Sequence, residues 1–339
     1  MTEYAQPANE VHAAGLAGWW VNPDRTLVAV RQAGPGGRLD CLRFDPAGVA
    51  SPCWTLAEPA DWEVLGWAAT GLLALWRRRA GGSELRIVDV FDAMSPPVQH
   101  LLVGRPVACR VGGTRRLVVL VVMARGGRPQ AWLQVPQTGT CQPLPVSSPF
   151  QGMGAWGDDG RVLAVNIDAE DGAPGVAVFC DLGSGPVQVD VAWPSGVRPV
   201  RAAGWGAGRV GLTGVDSAGE PVPGVWDTAT GMVRWFGAQA GYSCVDVARS
   251  GGRILAATRN GESFGYRAID GFGRRIGEFG AGAAVVTDPC FAADEAHAVG
   301  LRQSPAAPSS VWSWNVRTGV AWPMQPHAAA LDIAMCVNM

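Results

Sequence analysis

The sequence predicts an all-β chain folded as a seven-bladed β-propeller, with four antiparallel strands in each blade. Three observations carry this prediction. The first is a repeat in which a short apolar strand runs into a small turn closed by glycine. It ends at Gly48 (DPAG), Gly139 (PQTG), Gly185 (DLGSG), Gly231 (DTATG), Gly273 (DGFG) and Gly319 (NVRTG), and the last five are spaced by 46, 46, 42 and 46 residues. The long gap before Gly139 hides a seventh copy, DAMSP around Met94, in which the glycine is missing. A repeat of this length made of strand signals marks a propeller or solenoid. The second observation is composition: 48% hydrophobic and 17% charged residues, with 46 Gly and 25 Pro, suit many short strands joined by tight turns. The third is a large apolar residue closing the first strand of most repeats, at Trp20, Trp67, Trp156, Trp205 and Phe291. Repeats three and six depart from it, with RVGG and VARSGG.

Taken in order, residues 1–14 are polar and read as an N-terminal arm, and 15–326 as the propeller. The first repeat gives GLAGWWVNPD, RTLVAVRQ, GRLDCLRFDP and SPCWTLA, separated by the turn signals PD, GPGG and PAG. The next begin near Asp61, Arg105, Phe150, Arg198, Gly241 and the AAVVTDPCF run at 283. One four-stranded sheet cannot bury both of its faces alone, so the sheets stack around an axis. Small residues before the closing aromatics, such as Gly66, Gly154 and Gly204, fit that crowded axis. The tail 327–339 contains a strand-like segment, Leu331–Val337, which reads either as a strand pairing with the first or last blade, because an open ring leaves unpaired edges, or as a frayed end.

The order of a DDG turn, a strand such as RVLAVNI, a hairpin, a second strand and DxxTG resembles WD-repeat-like propellers. It resembles still more the N-terminal propeller domain of prolyl oligopeptidase-type serine peptidases. The likeness runs from Gly15 to about Pro326. Only one WD dipeptide is present, Trp226-Asp227, and the Gly-His of true WD repeats is not. A nucleophile elbow, G-x-S-x-G, is missing, and GYSCV at Gly241 lacks its last glycine. The resemblance therefore implies the fold and does not imply peptidase activity.

Charge narrows the partners. A formal net charge of −2 argues against nucleic acid and against an anionic membrane. All 27 basic residues are Arg, so no lysine can form a Schiff base, anchor pyridoxal phosphate or serve a phosphate-binding loop. No cofactor is expected. The four His share no ligand spacing, and NIDAEDG (Asn166, Asp168, Glu170, Asp171) only echoes a calcium loop, so no metal site is expected either. The run Arg77–Arg79 reads as a solvated hairpin. Eight Cys without C-x-x-C, in apolar strand patterns, indicate a reducing compartment. With no signal-peptide pattern and no apolar run longer than Leu117–Ala124, a cytoplasmic location is expected.

The candidate site lies where the chain enters the innermost strands, because those loops ring the channel mouth. Trp62, Phe150 and Tyr242 stand at matching places there, with polar neighbours Gln151, Arg198, Arg201 and Ser243. An apolar cleft with a few converging polar groups is the usual small-ligand site. The same aromatics could instead seal the tops of the blades. Glu63 and Asp246 are the candidate general acid or base, since burial near the channel would raise a carboxyl pKa toward neutrality. Three functions are expected from this. One is a binding module that holds a small molecule, a peptide or a partner protein at one face of the ring. Another is a cofactor-independent cyclase, isomerase or lyase with its site at the channel mouth. The third, implied by the resemblance to peptidase propellers alone, is a propeller gate acting in trans on a separate hydrolase.

Overall fold

The computed structural model describes residues 16–326, apart from short stretches at 33–37, 46–48, 57–60, 93–94, 113–115, 126–127, 147, 158–159, 169–172, 183–184, 261–262, 283 and 305–306. Seven antiparallel sheets follow one another along the chain, six of four strands and one that gains a fifth. Their innermost strands are Leu16–Val21, Glu63–Ala69, Arg105–Val111, Phe150–Trp156, Val197–Gly206, Ser243–Val247 and Val285–Phe291. The molecule is the seven-bladed propeller expected, and each blade opens within two residues of the start read from its repeat. We call upper the face where chains enter the innermost strands, and lower the face where those strands turn back.

Strand alternation explains why the sheets form a ring. Successive side chains of a strand point to opposite faces. Along Leu72–Arg79 of blade 2, Leu73 and Leu75 pack toward blade 1, while Leu72, Ala74 and Trp76 pack toward blade 3. Repeated in every blade, this gives seven apolar clusters, one between each pair of neighbours. The cluster between blades 7 and 1 joins Trp19, Val28 and Val30 to Ala292, Val299 and Leu301, so side chains close the ring. Between blades 6 and 7, Phe279 stacks on both Tyr266 and Trp314 at centroid distances of 5.4 and 5.5 Å. Such pairs contribute about 0.5–1.5 kcal/mol beyond their burial.

The fifth strand of blade 1 is Gln325–Pro326, which lies parallel to Val49–Ala50 on the outer edge. This latch is made upstream of Leu331–Val337, which lies outside the described residues, as does the arm 1–14. The repeated turn is also as expected. Asp227 Oδ1 accepts from the N–H groups of Ala229 and Thr230, both at 3.1 Å, and the Gly231 N–H donates to the Asp227 carbonyl at 2.9 Å. Gly231 has φ +71°, which an L-residue with a side chain adopts only under strain. The turn lies between the third and outermost strands, away from the axis.

Candidate functional site

An open cavity of about 360 Å³ lies along the axis of the ring, lined by innermost-strand residues of every blade except the fifth. Its wall is mostly apolar, including Trp20, Leu65, Val107, Met153, Val245 and Pro289. The charged side chains on it are Arg110, Asp246 and Asp288. The pairing register slips by a residue or more in several innermost strands, at Leu65 in blade 2, Gly154 in blade 4, Ala203–Gly204 in blade 5, Val245 in blade 6 and Asp288–Pro289 in blade 7. A bulge bends its strand and re-aims its side chains. Where the bulge holds glycine, the blades press together: a Cβ on Gly204 would fall 2.6 Å from the Val247 nitrogen. In blade 7 the bulge instead delivers a carboxylate.

Asp288 has φ +47° and stands immediately before Pro289. A non-glycine residue in the left-handed region is uncommon, and proline further restricts the residue before it. Neighbouring blades hold this conformation from both sides. The Trp19 Nε1–H of blade 1 donates to the Thr287 carbonyl at 3.0 Å, and the Phe291 N–H donates to Asp246 Oδ2 of blade 6 at 2.8 Å. The Asp288 side chain is exposed to the channel, and no described residue hydrogen-bonds to it. Desolvation by the surrounding wall pushes its pKa above the ordinary carboxylate range, and the charge of Arg201 in blade 5 pulls the other way.

Asp246, one blade away, has a different environment. It lies near the lower end of its strand and is only 6% exposed. Arg25, in the first turn of blade 1, reaches across blade 7 to meet it. The Arg25 Nη1 and Nη2 groups donate to Asp246 Oδ2 and Oδ1 at 2.8 and 3.1 Å. The same guanidinium donates to the Phe291 carbonyl of blade 7 at 2.9 Å and to the Val247 carbonyl of blade 6 at 2.5 Å. One buried residue thus ties together blades 1, 6 and 7 at the seam where the ring closes. Burial pushes the Asp246 pKa up and Arg25 opposes it, while the carboxylate in turn raises the pKa of Arg25.

The structure scatters the other sequence candidates. Glu63 opens its strand at the upper face, exposed and paired opposite Trp76, so it stands at the other end of the channel from Asp246. Trp62 is 3% exposed, packs between blades 1 and 2, and has Arg77 over its ring at 4.4 Å. Tyr242 is 8% exposed between blades 5 and 6, under Arg267 at 3.9 Å, with its hydroxyl donating to Glu278 at 3.0 Å. Phe150 is half-buried against the cluster of blades 3 and 4. All three lie in the seams between blades, and Arg side chains cover the rings of Trp62 and Tyr242. Gln151 donates to Asp168, Arg198 donates to the Pro174 carbonyl at 2.9 Å, and Ser243 is half-buried opposite Ala257. Arg201 alone of this group bears on the cavity's carboxylate. Sequence reasoning missed Arg25 and Asp288. The signal for the second was present, since an Asp-Pro inside a strand pattern marks a bulge.

Two limits on the chemistry follow. Cys109 and Cys290 border the cavity, but burial pushes both thiols up to about 12, so neither supplies a thiolate at neutral pH. Among the described residues no group of three or more His, Cys, Asp or Glu is arranged to hold a metal ion. None of the described helices is long and apolar enough to cross a membrane.

No protein-family model matches the sequence, and no curated protein is similar to it. Solved structures are similar in fold. A prolyl endopeptidase superposes with a TM-score of 0.64 at 12% identity, over 92% of this chain and 50% of that one. The acylaminoacyl peptidase of Pyrococcus horikoshii gives 0.61 at 10% identity, over 95% and 54%. This chain has the propeller fold of such peptidases. The β-propeller domain of the Trilobed protease from Pyrococcus furiosus, described as having an open velcro topology, gives 0.59 at 11% identity, over 94% and 97%. The chain spans about half the length of the first two proteins and nearly all of the third. The resemblance read from the repeats therefore holds at the level of fold, and at these identities it extends no further.

Proposed function

We propose that the protein is a binding module that holds a small molecule or short peptide in its central channel, with Asp288 gripping a cationic group. One observation carries this reading: a carboxylate with no hydrogen-bond partner among the described residues is held on a strained backbone at the wall of a largely apolar cavity. Strain of this kind persists only where neighbours enforce it, and it clusters at ligand sites. The apolar wall supplies burial for the body of a ligand, and Asp288 supplies a charge-assisted hydrogen bond to its ammonium. The cavity volume falls at the lower end of the range for small-molecule sites.

An amphipathic amine is the simplest probe. Calorimetric titration with phenethylamine is expected to give saturable binding to the native protein and none to Asp288→Asn, which keeps the shape and removes the charge. Equal binding by both proteins would refute the reading.

The gate reading draws support from the likeness to the acylaminoacyl peptidase propeller. It predicts a stable complex with a separate hydrolase, detectable by co-purification, and its peptide would meet Asp288 in the same channel.

A further inference from the structure

We infer that the channel recognises a zwitterion, an amino acid or dipeptide, with its ammonium on Asp288 of blade 7 and its carboxylate on Arg201 of blade 5. This rests on the channel-binding reading above and names the class of ligand it would take.

Both residues lie on innermost strands, within Val197–Gly206 and Val285–Phe291, and both are exposed. Asp288 lines the cavity directly, whereas Arg201 is exposed on its strand without being one of the cavity-lining residues. Arg201 stands four residues above Trp205, and Asp288 three above Phe291, which places them at a similar depth. Each sits at a register slip, Arg201 where Pro199 and Arg201 break the ladder and Asp288 between Thr287 and Cys290.

The two charges feel one another without joining. Arg201 acts electrostatically on Asp288 and on Cys244 of the blade between them, but no described residue forms an ion pair or hydrogen bond with either charge. Opposite charges within electrostatic reach of one another, neither of them paired among the described residues, offer a two-point clamp. Guanidinium and carboxylate groups match the carboxylate and ammonium of a zwitterion, each through charge-assisted hydrogen bonds. The adjoining blade contributes no competing acceptor, because the Asp246 oxygens are engaged by Arg25 and the Phe291 N–H.

Matched ligands separate this inference from the reading beneath it. Phenethylamine, phenylalanine and the dipeptide phenylalanyl-alanine share one aromatic body, and only the last two carry a carboxylate. Calorimetric titration of the full chain is expected to show at least one zwitterion binding about tenfold or more tighter than phenethylamine, in line with one charge-assisted bond. Arg201→Gln should remove that advantage and leave phenethylamine binding unchanged or tighter, since a nearby positive charge is gone. N-acetylphenylalanine, which lacks the ammonium, should not bind. If phenethylamine binds to Asp288 but neither zwitterion binds tighter, the inference is wrong and the channel-binding reading stands. If the advantage survives Arg201→Gln and disappears in Arg110→Gln, the assignment to Arg201 is overturned. Absence of binding by all the probes removes both. Circular dichroism of each variant guards against loss of fold.

Discussion

Two carboxylates on adjacent innermost strands, Asp246 and Asp288, border one channel and differ in what surrounds them. Both border the same cavity, and surrounding protein raises both pKa values. Asp246 is only 6% exposed and accepts from a guanidinium and from the Phe291 N–H. Asp288 is exposed to the channel, has no hydrogen-bond partner among the described residues, and stands on a left-handed backbone. A buried charge persists when its partners satisfy it. A charge with no described protein partner, on a strained residue, adds little to a fold. The lower carboxylate is engaged by the structure, and in our proposal the upper one meets the ligand. The two are also linked, because the Asp246 bond to Phe291 braces one side of the bulge that carries Asp288.

Breaking the buried pair should have the largest effect. Arg25→Met leaves a charged Asp246 buried without its partner, and Asp246→Asn does the same to Arg25. Each is expected to destabilise the protein by about 3–5 kcal/mol in chemical denaturation. The double variant Arg25→Met/Asp246→Leu should recover much of that loss, because apolar replacement of a complete buried pair is often neutral. If Arg25→Met unfolded at the native midpoint, the seam would not depend on this contact.

The rim turn offers a smaller contrast. Gly231→Val forces a β-branched residue to φ +71° and should destabilise by about 1–2 kcal/mol without altering amine binding. Loss of binding at an unchanged melting temperature would place function at the rim instead of the axis.

The smallest effect is a pH dependence that sharpens the comparison. Because the folded-state pKa of Asp288 is raised above its unfolded value, its ionisation lowers folding stability as pH climbs through that interval. Only the ionised form grips an amine. Phenethylamine affinity should therefore rise as pH increases through the raised Asp288 pKa and level off above it. In Asp288→Asn no such rise is expected.

The architecture was legible because its signals are local. A turn with Asp or Asn and a closing glycine, repeated about every 46 residues, needs no knowledge of distant contacts. The site was less legible because it depends on them. Arg25 and Asp246 are 221 residues apart, and nothing near either residue indicates that they meet. Whether Trp62 or Tyr242 presents an open face depends on Arg77 and Arg267, which come from the second strand of blade 2 and the third strand of blade 6. Arg201 was recognised as a polar group near the mouth, but its counterpart Asp288 was not. The Asp-Pro that produces the bulge is written in the strand, whereas the direction in which the bulge aims its carboxylate is set by blades 1 and 6.

The most direct test of this division is Asp288→Gly, read for stability and binding on the same sample. Glycine accepts φ +47° without strain and removes a desolvated charge. The expected result is a gain of about 0.5–1 kcal/mol in folding stability, together with loss of phenethylamine binding. A protein that loses stability, or one that binds the amine as the native chain does, would contradict the assignment of Asp288 to a ligand.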